Sequence, residues 1–310
     1  GGFGIKNDSM ASYSPYIQNV TTVFMLLFGV NFSCYYLLLL RQFRGVFKDE
    51  ELRLYVGIVI AAVGLIVWNV RDLYGSLGET LRHAAFQVSS IMTTTGFATT
   101  DFDLWPSFSK GILLMLMVVG ACAGSTGGGI KVARVLLLFK ILRRNIRQVL
   151  NPRKVQAVRN NGRAINEKIL DNTNAYLAAY VIIIIISFLL LSLDQYNVET
   201  NLSAVLACFN NIGPGLDAVG PAGSYADYTA FSKIVLSFAM LLGRLEKNNS
   251  RRPLLAGKSE EEISASIDDL MARREQAYID CAKWVYNTGE KKMGGQLKDF
   301  MEKFRLERKV

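Results

Sequence analysis

"ETLRHAAFQVSSIMTTTGFATTDF", Glu79 to Phe102, is the stretch on which the fold turns. Its apolar part, Leu81–Met92, is too short to span a bilayer, since a crossing helix needs ~20 residues. It runs into Thr- and Gly-rich sequence and then into a further apolar run, Phe108–Val119. A half-helix that descends, an irregular strand that climbs back and a full helix that follows make a re-entrant segment. Such backbone survives at membrane depth only where it lines a watery cavity or is buried in protein. A polar loop between two helices is the competing reading, and it predicts no second copy.

A second copy exists. After the run Tyr176–Leu193 come "TNLSAVLACFNN" and "IGPGLDAVGPAG", and then another apolar run from Phe231. Aligning the two units sets Thr94-Thr95-Gly96-Phe97 beside Asn211-Ile212-Gly213-Pro214. The opening Gly2-Phe3, followed by "GIKNDS" and a span, matches the end of the same unit, so the chain begins in the middle of a repeat. Internal repeats set the whole fold. Here they predict an all-α polytopic membrane protein of repeated span–pore-helix–filter–span units that call for a pore, incomplete, with a soluble helical C-terminal tail.

The chemistry of that unit suits a cation. A helix ending at mid-membrane aims roughly half a negative charge at the space beyond it. Extended backbone after it can line up carbonyls and threonine hydroxyls in place of a lost hydration shell. Gly96 and Gly213 admit backbone angles that a side chain forbids.

Composition agrees. Of 310 residues, 51% are hydrophobic, clustered in Tyr16–Leu40, Leu54–Val70, Phe108–Val119, Tyr176–Leu193 and Phe231–Leu242. The net charge of +9 is unevenly placed: eleven Lys/Arg against one acid lie between Lys131 and Lys168, and none between Ile169 and Ser232. That is the positive-inside pattern, which puts Lys131–Lys168 and the Arg41–Arg53 loop in the cytoplasm. Aromatic residues do not interleave with the basic run, which argues against nucleic acid. Cys34, Cys122, Cys208 and Cys281 are too far apart for a zinc site, and with one histidine no catalytic metal is expected. "GSTGGGIK" misses the phosphate-loop pattern, because Ile130 separates the last glycine from the lysine and Val132 follows it. "AGSTG" misses the nucleophile elbow by one glycine. No enzymatic activity and no cofactor are expected.

"GGFGIKNDS", "SPYIQNV", "FMLLFGVNFSCYY", "MTTTGFATTDF", "GACAGSTGGGIK" and "NNIGPGL" together resemble the Trk/Ktr/HKT superfamily of potassium uptake proteins, in particular its TrkH-type membrane subunits. The resemblance covers about residues 1–246. It implies four repeats around one pore, of which this chain holds 1–40 (filter and inner helix of repeat two), a cytoplasmic loop 41–53, 54–147 (repeat three), a basic linker 148–169 and 170–246 (repeat four). It implies a selectivity filter at Gly2, Phe3, Thr94, Thr95, Gly96, Phe97, Asn211, Ile212, Gly213 and Pro214, with potassium held by backbone carbonyls at Thr95, Gly96, Ile212 and Gly213. Gly120, Gly124, Ser125, Thr126, Gly127, Gly128 and Gly129 are then an intramembrane gate loop beneath the filter. Lys131 either sits at the inner mouth or snorkels to the interface, and Arg244 either faces the pore or anchors an interface.

The resemblance further implies a prokaryotic inner membrane, potassium and sodium as candidate transported ions, a homodimer, contact with membrane lipid, and a cytoplasmic nucleotide-binding ring of TrkA or KtrA type. Two other readings predict different behaviour: a non-transporting fragment that binds through 247–310, and a broken-helix transporter indifferent to potassium.

Overall fold

The computed structural model describes residues 8–151 and 157–249. Gly2, Phe3 and almost all of the 247–310 tail lie outside the described residues. Helix α1 (Pro15–Phe28) starts with proline at its first position and with the Ser14 hydroxyl accepting from Ile17 N–H, two standard start signals. The sequence predicts one run from Tyr16 to Leu40, but the structure breaks it. Helix α2 (Phe32–Leu39) leaves at 90° to α1. Asn31 caps α2 by accepting from Ser33 N–H at 2.9 Å. At Gly29 the space a Cβ would fill holds the Tyr55 hydroxyl, 2.4 Å away. The break is therefore a capped start of a new helix packed hard against its neighbours.

A short α3 (Phe43–Lys48) leads to α4 (Glu50–Val70), whose cap is Asp49, accepting from Leu52 N–H at 2.8 Å. Ser76 opens α5 (Leu77–Met92) by accepting from Glu79 N–H. Helix α6 (Ser107–Val119) ends at Gly120, and α7 (Val132–Leu150) resumes after the glycine-rich loop. Strands β1 (Arg159–Asn160) and β2 (Arg163–Ala164) pair antiparallel. Their two-residue turn, Asn161-Gly162, has positive φ at both residues, as a type I′ hairpin requires. Helices α8 (Glu167–Leu191), α9 (Val198–Phe209) and α10 (Ala230–Asn249) complete the order.

Thus α4, α5, α6 run as a long helix, a buried short helix and a further apolar helix, and α8, α9, α10 repeat the order; α6, expected as a full helix, is a short one of 13 residues that stops at Gly120. Each set of three has its own apolar core. Ile66, Val70, Val88, Ile91, Phe102, Leu113 and Met117 fill the first, and Leu191, Ala204, Val205, Cys208 and Leu236 the second. Among the described residues two helical stretches, Glu50–Leu73 and Glu167–Asp194, are long and apolar enough to cross a membrane, and the bent pair α1–α2 makes a third if counted as one broken span. The short helices are wrapped by the rest: every residue of α5 from Phe86 to Met92 is buried. Cys34, Cys122 and Cys208 are buried free thiols, as packing residues should be.

Candidate functional site

Two half-helices end alike. Past the last turn of α5, Thr94 N–H donates to Ile91 C=O and Thr95 N–H to Ser90 C=O; past α9, Asn211 N–H donates to Cys208 C=O and Ile212 N–H to Ala207 C=O. Thr94 (φ 55°) and Asn211 (φ 57°) both turn left-handed, a conformation rare outside glycine. Two residues on, Gly96 (φ 80°) and Gly213 (φ 119°) do so again. The aligned segments Thr94–Phe97 and Asn211–Pro214 thus carry positive φ at the same two positions.

Thr94, Thr95, Gly96, Asn211, Gly213 and Pro214 line one cavity of about 900 Å³, with Thr126 of the glycine-rich loop and Arg244 of α10 on its wall. Ile212 turns its side chain into the apolar core and does not line the cavity, nor does Phe97. Two carbonyls of these segments already accept internal bonds: Phe97 C=O from the Ser90 hydroxyl at 2.6 Å, and Gly213 C=O from the Tyr225 hydroxyl at 2.8 Å. These bonds hold the extended backbone in shape.

The loop from Gly120 to Lys131 is tied on four sides. Gly128 N–H donates to the Thr94 hydroxyl at 2.7 Å, directly at the end of α5. On its other flank, a Cβ at Gly128 would stand 2.1 Å from Asn210 C=O, so the loop touches the end of α9 as well. Cys122 N–H reaches Gly29 C=O at 3.0 Å, which ties the loop to the α1–α2 break. Ala123 N–H donates to the Glu51 carboxylate at 2.5 Å. Within the loop, the Ser125 hydroxyl donates to Cys122 C=O at 2.6 Å and the Lys131 ammonium to Gly127 C=O. Lys131 is buried, so the snorkelling alternative does not describe it. It also holds a strained φ of 83° at the start of α7.

Sequence reasoning passed over Glu51, Asn31, Tyr55 and Asn210. The Asn210 amide and the Tyr180 hydroxyl bond each other, at 3.0 Å from Nδ2, beneath the end of α9. For Asn31, Tyr55 and Asn210 the available signal was polarity in an apolar neighbourhood, where an unexplained polar residue marks a contact; Glu51, in the run Asp49-Glu50-Glu51, carried no such signal.

On the other side of α5 and α9 a second seam joins the units. Asp103 accepts from Asp217 N–H at 2.8 Å and packs against Gly220, and Lys110 pairs with Glu199 at 2.7 Å. Burial pushes the Asp103 carboxyl up to about 6, with nearby Asp101 adding to the rise and the bond from Asp217 opposing it. Bonds from Thr200 and Asn197 hold Asp217 below the usual carboxylate range.

The family model described as TrkH, cation transport protein, matches residues 1–250. The Trk system potassium uptake protein TrkH of Salmonella typhimurium is 36% identical over 251 residues, covering 79% of this chain and 51% of that protein. The Trk system potassium uptake protein TrkG of Escherichia coli is 32% identical over 253 residues, covering 79% of this chain and 51% of that protein. The crystal structure of the potassium transporter TrkH from Vibrio parahaemolyticus superposes with a TM-score of 0.73 at 32% identity, over 83% of this chain and 56% of that one. The chain therefore spans about half the length of the curated relatives it matches. It belongs to the TrkH family of cation transport proteins and is a helical integral membrane protein of the inner-membrane type.

Proposed function

We propose that this TrkH-family chain translocates potassium as part of the membrane subunit of a Trk-type uptake system. One observation carries the reading: two half-helices 117 positions apart are followed by segments with positive φ at the same two positions, and both segments face one cavity. Two such ends concentrate negative helix-end potential on that space, and the oxygens beside it can replace water around a bare cation. Thr95, Gly96, Ile212 and Gly213 supply carbonyls, and Gly2-Phe3 supplies a third segment of the ring. Segments equivalent to those of the remaining repeats close it, from further sequence or from a second copy. The loop Gly120–Gly129 lies across the pathway as its gate, with Arg244 beside it.

Positive charge from Lys131 to Lys168 suits contact with anionic lipid and with a cytoplasmic nucleotide-binding ring of TrkA or KtrA type. Dimerisation and sodium coupling belong to the same proposal, on family likeness alone. Potassium and sodium flux in proteoliposomes is the test. Replacing Gly96 or Gly213 by valine should collapse the preference for potassium, and unchanged selectivity overturns the filter assignment.

A further inference from the structure

Glu51 is an acid in the first turn of an apolar span and is only 8% exposed. Its presence there is not explained by helix capping, because Asp49 already caps α4 through Leu52 N–H. What its carboxylate meets is the gate loop, Ala123 N–H at 2.5 Å, while the Asn31 side chain and the Ala133 backbone N–H lie close enough to act on the same group electrostatically. Asn31 in turn stands where a Cβ at Gly124 would meet it, at 2.9 Å. One carboxylate thus gathers the loop (Ala123), the start of the helix that leaves the loop (Ala133) and the α1–α2 break (Asn31).

The mount that carries it is stiff. Glu50, one residue before, accepts from Lys140 of α7 and from Asn161 N–H at 3.2 Å, while Asn161 Nδ2 donates to Asp49 at 2.9 Å. Glu50 N–H donates back to Asn161 Oδ1 at 3.0 Å. The first turn of α4 is therefore clamped to α7 and to the tip of the β1–β2 hairpin.

We infer that Glu51 is the positioning residue that latches the gate loop: holding Ala123, it keeps Gly128 seated between Thr94 and Asn210, and the loop leaves the pathway only when that bond is given up. The inference rests on the Gly120–Gly129 loop being the gate, as proposed above, but its test does not depend on transport. Cys122, adjacent to Ala123, is 1% exposed. In a background with Cys34, Cys208 and Cys281 changed to serine, the rate of Cys122 modification by N-ethylmaleimide in liposomes reports loop release.

Glu51→Leu should raise that rate on the order of tenfold or more, and Glu51→Gln, which keeps an acceptor oxygen for Ala123, should fall between it and the parent. A Cys208-only chain controls for loosening of the whole fold, because Cys208 is buried in α9, outside the glycine-rich loop. Cys122 labelling unchanged in Glu51→Leu overturns the inference. So does an equal rise at Cys208. A Cys122 response accompanied by intact selectivity in the Gly96 and Gly213 variants leaves the latch standing and removes the filter. In channel recordings the same variant should raise open probability while leaving unitary conductance and potassium preference unchanged, which a filter residue could not do.

Discussion

Gly128→Ala is the sharpest test of the contact between loop and half-helices. The new Cβ would stand 2.1 Å from the Asn210 carbonyl oxygen and 3.2 Å from its carbon. Ordinary contact begins near 3.4 Å, so more than an ångström of movement must come from two backbones. Neither side yields easily, since Asn210 is bonded to Leu206 behind it and to Tyr180 beneath it. Overpacking of this kind costs about 1–3 kcal/mol. Moving the loop also forfeits the Gly128–Thr94 bond, worth about 1 kcal/mol. A total of roughly 2–4 kcal/mol is a 30- to 1,000-fold shift in population at 1.4 kcal/mol per tenfold. The seated loop should therefore cease to be the dominant state, seen as raised resting potassium leak in proteoliposomes. Gly64→Ala is the control, because that glycine, in α4, has nothing within 4 Å of the added carbon, and little change is expected. Parent-like leak and thermal midpoint in Gly128→Ala would refute the claim that Gly128 wedges between the two units.

Other outcomes follow from the same geometry. Gly213→Val places a β-branched residue at φ 119°, and the potassium-to-sodium flux ratio should fall on the order of tenfold or more. Tyr180→Phe strips the buried Asn210 amide of its partner and should lower stability by about 1–3 kcal/mol, read by thermal unfolding in detergent. Because the folded value of Asp103, about 6, lies above its ordinary 3.8, the folded chain binds the extra proton between those limits. Its contribution to stability is largest at low pH and is lost as pH rises through that window. Asp103→Asn should flatten the thermal midpoint of the parent between pH 4 and 6 and sit above it at pH 7, while parallel profiles would remove the buried-carboxyl account.

Much of this was legible because repetition is a property of sequence. Thr94–Phe97 and Asn211–Pro214 could be aligned from their glycines and the short helices before them, and the matching left-handed angles at Thr94 and Asn211 are what that alignment means in three dimensions. The break in α1–α2 was not legible, because Gly29-Val30-Asn31 interrupts an apolar run no more than Gly57 or Gly64 interrupts α4. What separates them is the neighbourhood: Gly57 and Gly64 face open space, whereas Gly29 faces Tyr55 and Thr93. Glu51 was missed for a related reason. Beside Asp49 and Glu50 it reads as one more acid at a helix start, and only the fold of a loop 72 residues later gives it a distinct task.

Those misses share a cause, which lies in how polarity is distributed in this fold. The apolar helices α4 and α8 leave most of their surface outward, with 22% and 17% of their spanning windows buried. The helices with polar residues are the hidden ones: α5 buries Thr80, His83, Gln87, Ser89 and Ser90, and α9 buries Thr200, Asn201 and Ser203. In water that arrangement would be inside out; in lipid it is the only one in which a short helix with an open carbonyl end can persist, since each polar group must find its partner within protein. Three of them do so across the units' own seams: His83 bonds Thr99 at 3.0 Å, Ser203 receives Leu216 N–H at 2.8 Å, and Asn201 receives the Tyr228 hydroxyl at 3.0 Å, while Gln87 Oε1 has no partner among the described residues. Every one of these bonds runs from a half-helix to the segment that follows it. The polar half of each half-helix is thus committed to shaping the strand beyond its end, and hydropathy, which measures only cost in lipid, ranks lowest the residues that build the site.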